Sequence, residues 1–223
     1  MTESEQQSIK SALSGVNRPV ILEAGAHTGE ETFQFEELLG RPFRHVLIEP
    51  DPRNVQHILD HVGPTAYENR APRPLGPMRR LILGAVSDAC DFREFWFSNN
   101  SEDQSHSSGS LLEPTGHLVH YKHVSFPYKG MVVCWTLDEI FRREYLSWID
   151  LLYSDVQGSE AAMIRGGTET LTHTHYLFME VERSEMYRGE ALRDDLIAML
   201  PGWDLAGDFG VNILMRNKNF GPL

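Results

Sequence analysis

The sequence predicts an α/β fold built on a mostly parallel sheet, and three observations carry that prediction. Short apolar runs of strand length alternate with amphipathic stretches of helical period along most of the chain. The first run ends in a glycine-bearing turn that opens onto a helix, as a strand-to-helix crossover does. At 223 residues, 41% hydrophobic and 23% charged, the chain suits a single domain over residues 1–223 and excludes a disordered or fibrous architecture.

The elements follow in order. An acidic, polar start leads through a helical extension over residues 1–17 to a buried-type strand, Pro19–Ala24. Thr28–Leu39 is the next helix, with Phe33, Phe35 and Leu38 or Leu39 on one face and Thr28 and Glu31 spaced as a capping box. A strand at His45–Ile48 precedes a helix opened by Pro52, and Leu81–Val86 is the strand after it. Four prolines make 63–78 an excursion, and 99–110, rich in Asn, Ser, His and Gly, is a loop within a second excursion over 99–130. Phe92–Phe97, Met131–Trp135, Ile149–Ser154, Tyr176–Val181 and Val211–Met215 read as strands. Leu137–Tyr145, Ser159–Leu171 and Glu190–Leu200 read as helices.

The formal charge of −12 disfavours nucleic acid as a partner. Residues 41–80 are a local exception, with seven arginines against four acids, read first as a surface feature. Two cysteines, Cys90 and Cys134, fit a reducing compartment better than a disulfide framework. The start lacks the basic-then-apolar pattern of a secretory signal, and no apolar run reaches membrane-spanning length, so a cytoplasmic protein is expected. Phe92–Phe97 pairs either across a homodimer or with its own chain.

Chemistry concentrates at strand ends. In the stretch Glu23-Ala24-Gly25-Ala26-His27-Thr28-Gly29, the glycines allow close backbone approach to a ligand, and the helix that follows offers unpaired amides. It is not the G-x-G-x-x-G dinucleotide fingerprint, which argues against NAD or FAD. Glu49, closing the second strand, is placed to accept both hydroxyl protons of a ribose, although an acid beside Pro52 also suits a helix start. Asp155 either faces a ligand at the same sheet edge or caps the helix beginning near Gly158. His106 lies in a loop of the kind that covers active sites. Glu180 and Glu182 alternate at a strand end, either sharing a face or pairing with Arg183 or Arg188. His117, His120 and His123 have helical spacing, but Pro114, Gly116 and Pro127 oppose a long helix, and no metal is assigned to them. Of the tryptophans, Trp148 and Trp203 read as packing.

Several blocks in order resemble the FkbM-type class I methyltransferases, which use S-adenosylmethionine. They are Leu22-Glu-Ala-Gly-Ala-His-Thr-Gly29, Leu47-Ile-Glu-Pro-Asp-Pro52, Gly84-Ala-Val-Ser-Asp88, Ser107-Ser-Gly-Ser-Leu-Leu112, Thr136-Leu-Asp-Glu-Ile140, Asp155-Val-Gln-Gly-Ser-Glu160 and Met179-Glu-Val-Glu182. Gln157 stands where that family often has an acid, and Ser154 where it often has a basic residue. The resemblance implies a Rossmann-like sandwich with a seven-stranded sheet, its last strand antiparallel, and helices on both faces. It implies that Glu23, Gly25, Ala26, His27, Thr28 and Gly29 hold the methionine part of the cofactor and Glu49 its ribose. Ala85, Val86 and Ser87 would flank the adenine, and Asp155 would lie near the transferred methyl. The expected reaction is O-methylation of a hydroxyl on a small molecule, natural product or sugar. Asp155, His106 and Glu182 are the catalytic candidates, and Glu180 is a further one. Two alternatives stand beside it: an Mg²⁺-assisted reaction using Asp155 with Glu180 or Glu182, and a silent cofactor-binding module of the same fold.

Overall fold

The structure, a computed structural model, describes residues 1–61 and 78–221. In chain order the elements are α1 (Glu3–Ala12), β1 (Val20–Ala24), α2 (Glu30–Leu39), β2 (Arg44–Glu49), α3 (Pro52–His61), β3 (Met78–Leu83), β4 (Ala85–Val86) and β5 (Phe92–Asn100). They continue with α4 (Gly116–His120), β6 (Val124–Trp135), α5 (Leu137–Arg143), β7 (Ile149–Ser154), α6 (Glu160–Arg165) and α7 (Thr168–Thr172). The chain closes with β8 (Thr174–Glu180), α8 (Arg193–Ala198), β9 (Trp203–Asp208) and β10 (Asn212–Asn217).

Seven strands form one sheet in the order β3-β2-β1-β7-β8-β10-β9. β3, β2, β1, β7 and β8 run parallel, and β10, the last strand of the chain, is antiparallel to both of its neighbours. The inner strands are apolar on both faces because helices cover both. One core joins Leu22, Val46, Ile48 and Leu152 to Leu137, Met163, Leu171 and Leu196, contributed by α5 to α8. On the other face, Ile9, Leu13 and Phe35 pack on Ile21, Leu151 and Phe178, while Ile58 of α3 packs on Leu47.

The order of strands reverses between β1 and β7: the chain builds outward from β1 to β3, then restarts at β7 on the other side. Open α/β sheets bind ligands in the crevice that such a switch creates at the carboxyl ends of the strands. Here the crevice lies where the turn after β1 meets the turn after β7, with the amide of Asp155 donating to the carbonyl of Ala24 at 2.9 Å.

A second sheet, β4-β6-β5, sits over that end. β5 pairs along its length with β6, and Trp96 also bridges to Ser110, so the aromatic strand is covered by its own chain. Arg53 ties this sheet to α3: it pairs with Asp51 at 2.5 Å, donates to the Ser98 carbonyl at 3.0 Å, and lies over the rings of Phe97 and Tyr128.

The structure corrects several expectations. The strand expected over Leu81–Val86 is split at Gly84 (φ +147°), where a side chain would strike Trp135; its first part stays in the main sheet and its second joins the small one. The helix expected over Ser159–Leu171 breaks at Gly166 and Gly167, because Gly166 packs against the Ser87 carbonyl too closely for any Cβ. No capping box forms at Thr28. Gly29, left-handed at φ +83°, is the N-cap of α2, whereas a capping box does form between Thr2 and Glu5. Phe33 is half-exposed while Phe35 is fully buried, and Trp148 is half-exposed rather than packed. β9 is an additional strand, its alternation interrupted by Asp204, Gly207 and Asp208. The 63–78 excursion lies outside the described residues except for Met78, which begins β3. Among the described residues no helix is long and apolar enough to cross a membrane.

Candidate active site

Three strand ends build the site. After β1 the chain turns sharply, with Gly25 at φ +83° and His27 at φ +46°. The amides of Gly25 and Ala26 both donate to the Ile48 carbonyl at 3.0 Å, holding the turn against β2. Gly25 must be glycine: a Cβ there would lie 1.8 Å from the carbonyl oxygen of Asp155.

At the end of β2, Glu49 is buried and its carboxylate accepts from the amides of His27 (2.8 Å) and Asp51 (2.9 Å) and from Asn54 Nδ2 (3.2 Å). Burial lifts its carboxyl to about 8 against the lowering effect of those three donors. Glu49 is therefore not the acid that starts α3; Asp51 does that, accepting from the Arg53 amide. Nor does Asp155 cap α6, whose N-cap is Ser159, and the Val156 amide goes instead to Glu160. Burial lifts Glu160 to about 8 as well.

These ends line a cavity of about 310 Å³. Gly25, His27, Glu31 and Glu49 form its floor, while Ala85, Val86, Phe95 and Leu111 make an apolar slot. His106 and Ser107 line it as well, held in part by Asn54, whose amide reaches the His106 carbonyl at 3.4 Å. His27 lines the cavity with its Nε2 buried and unpartnered, and burial lowers its basicity. A buried acid beside an apolar slot suits a nucleoside, its ribose hydroxyls on the carboxylate and its base in the slot.

A second cavity of about 260 Å³ adjoins the first, and Ser107 and Gln157 line both. Its walls carry Glu160, Glu180, Glu182 and Glu190, with His117, His123 and Tyr187, and among the described residues neither lysine nor arginine. Burial, together with the Asp155 and Glu160 carboxylates, holds Glu180 well above the usual carboxylate range. Arg183 and Arg188 pair elsewhere, with Asp208 and Glu113. Glu180 and Glu182 are left to the cavity.

The expected site residues thus divide. Gly25, His27, Glu49, Ala85, Val86, His106 and Asp155 line the first cavity, and Glu180 and Glu182 the second. Ala26, Thr28, Gly29 and Ser87 line neither: Ala26 packs on Leu47, Thr28 bonds Glu30, Gly29 caps α2, and Ser87 accepts from Arg93 at 2.6 Å. Glu23 lies fully buried beneath the turn, its Oε2 2.7 Å from Nε2 of His45. Burial raises the Glu23 carboxyl and lowers His45 to about 3, making this a neutral pair. None of the four tryptophans lines either cavity; among the described residues the Phe and Tyr side chains there are Phe95, Tyr121, Tyr153 and Tyr187. Among the described residues no cluster of three or more potential metal ligands is assembled. Sequence reasoning did not single out Asn54, five residues after Glu49, or Tyr187, which no local pattern marks.

Comparisons with known proteins agree with this geometry. Residues 23–209 match the Methyltransferase FkbM domain. The chain is 34% identical over 206 residues to the 2-O-methyltransferase NoeI of Sinorhizobium fredii (strain NBRC 101917 / NGR234), covering 89% of this chain and 79% of that protein. The crystal structure of Methyltransferase FkbM from Methylobacillus flagellatus KT shares the fold, with a TM-score of 0.56 and 15% identity over 90% of this chain. This chain spans only 44% of that protein's length. The chain therefore belongs to the FkbM methyltransferase family and is an S-adenosylmethionine-dependent methyltransferase.

Proposed function

We propose that the enzyme methylates a hydroxyl of an uncharged polyol, with the methyl donor in the first cavity and the acceptor in the second. The observation that carries this reading is the junction: Gln157 and Ser107 belong to both cavities, so two ligands meet there. The relative NoeI is named a 2-O-methyltransferase, which supports oxygen as the acceptor atom. The four glutamates of the second cavity offer hydrogen-bonding partners to polyol hydroxyls, and among the described residues no lysine or arginine lines it to receive a phosphate or carboxylate.

S-adenosylmethionine, when bound, supplies an electrophilic sulfonium methyl. Glu49 would hold the ribose, the Ala85–Val86–Phe95 slot the adenine, and the Gly25–His27 turn the methionine end. An aliphatic hydroxyl keeps its proton at neutral pH, so a base must take it as the new O–C bond forms and the S–C bond breaks. Asp155 fits that task, since it lines the donor cavity and hydrogen-bonds to the residue shared with the acceptor cavity. His106 lines the donor cavity and is placed to help exclude water, and Glu182 lines the acceptor cavity and is placed to bind acceptor hydroxyls.

The test is a methyl-transfer assay over neutral glycosides and polyols and their phosphorylated counterparts, run with Mg²⁺ and with chelator. Turnover of neutral acceptors, at least about tenfold above phosphorylated ones and insensitive to chelation, is the expected result. Equal turnover of phosphorylated acceptors would overturn the charge reading, and loss of activity with chelator would restore the Mg²⁺-assisted route.

A further inference from the structure

We propose that Gln157 is a positioning residue whose side-chain amide, fixed by Tyr187, ties the donor-side carboxylate Asp155 to the acceptor-side carboxylate Glu180. The inference rests on the two-cavity reading above. A primary amide is directional: its oxygen only accepts, and its nitrogen only donates, with two hydrogens. Here Nε2 spends both hydrogens on carboxylates, on Asp155 Oδ1 at 2.7 Å and on Glu180 Oε2 at 2.9 Å. On the other side, the Tyr187 hydroxyl lies 2.7 Å from Gln157 Oε1 and 2.9 Å from the Ser108 carbonyl. A flipped amide would turn its carbonyl onto two carboxylates, so a single orientation is selected.

The backbone is fixed as well. Gln157 sits in the left-handed region at φ +51°, and its carbonyl accepts from Ser110 Oγ at 2.7 Å. A non-glycine residue held there, with every polar group of its amide engaged, marks a position that the surroundings over-determine.

The consequence concerns Glu180, which burial and the neighbouring carboxylates hold well above the usual range. Glu180 is faced by Asp155 beyond β7, Glu160 of α6 and Glu182 beyond β8. Tyr187 faces the same cavity, as do Glu190, His117 and His123. In that acidic setting the Gln157 amide is a donor that favours the ionised form of Glu180. An acid at position 157 would remove both donated hydrogens and add a charge. Gln157 thus holds Asp155, beside the methyl donor, and Glu180 in one fixed relation and opposes the burial that raises Glu180.

The experiment compares wild type, Gln157→Glu and Tyr187→Phe. The Glu180 carboxyl is followed by ¹³C NMR titration without acceptor, assigned with Glu180→Gln. Kd for S-adenosylhomocysteine and the pH profile of kcat are measured in parallel. Tyr187→Phe removes one oxygen and preserves the ring packing, so it answers the question even if Gln157→Glu folds poorly. In both variants the Glu180 midpoint and the acid limb of kcat should move to higher pH, by about one unit in Gln157→Glu. kcat at neutral pH should fall about tenfold while Kd for S-adenosylhomocysteine changes less than about twofold. Unmoved titration midpoints in both variants would overturn the proposal. A shifted midpoint in an enzyme that methylates no hydroxyl would instead uphold the amide link and sink the acceptor reading.

Discussion

The backbone amide of His27 donates to Oε2 of Glu49 across 2.8 Å, which makes the turn after β1 and the acid closing β2 a single unit. Glu49→Ala should therefore weaken S-adenosylhomocysteine binding by about 1.5–3 kcal/mol, roughly 10- to 150-fold, through lost charge-assisted hydrogen bonds. Because burial holds this carboxyl at about 8, ribose donors that favour its ionised form must expel a proton. Calorimetry of wild type at pH 7 in buffers of different ionisation enthalpy should show proton release, absent in the variant. Unchanged affinity in a folded variant would remove Glu49 from the cofactor site.

Gly25→Ala tests the switch point. The new methyl meets the Asp155 carbonyl at 1.8 Å and the backbone is left-handed, a conformation costing an L-residue about 1–2 kcal/mol before any clash. The expected outcome is a lowered Tm together with loss of S-adenosylhomocysteine binding. Gly189→Ala is the control, since it too has positive φ but meets nothing within 4 Å. Equal effects of the two substitutions would mean that strain alone, and not closure of the crevice, is responsible.

The buried acids make stability fall with rising pH. Glu49 and Glu160 keep their protons in the folded state up to about 8, whereas the unfolded chain releases them near the ordinary glutamate value. Between those limits the folded state binds more protons, so raising the pH disfavours it. His45, lowered to about 3, acts in the opposite direction, but only below its unfolded value near 6.5. Tm measured from pH 6.5 to 8.5 should decline, and Glu160→Gln should flatten the decline. A Tm that rises across this range contradicts the argument.

The parallel strands were legible because full burial on both faces favours mostly apolar runs, as in Val20–Ala24, broken only by Glu23, and Ile149–Ser154, broken by Asp150 and Ser154. What escaped were the points where one glycine redirects an unbroken pattern. Residues 81–86 are apolar throughout, and only tertiary packing on Trp135 shows that Gly84 divides them between two sheets. β9 was hidden because an edge strand with Asp204, Gly207 and Asp208 carries no clean alternation. Of the site, Glu49 and Asp155 could be found because strand ends are privileged positions in such sheets. Tyr187 could not, since a turn with no periodicity brings it across the molecule to Gln157.

The split at Gly84 also bears on how such enzymes diversify. The chain leaves the main sheet there and re-enters it at Ile149, so residues 85–148 behave as a cassette inserted between two framework strands. Their hairpin can lengthen, shorten or change its lining without altering the register of β1, β2 and β7, which position Gly25, Glu49 and Asp155. The cassette carries Ala85, Val86, Phe95 and His106 of the first cavity together with His117 and His123 of the second, so an exchange of it between relatives changes the lining of both cavities at once on an unchanged framework.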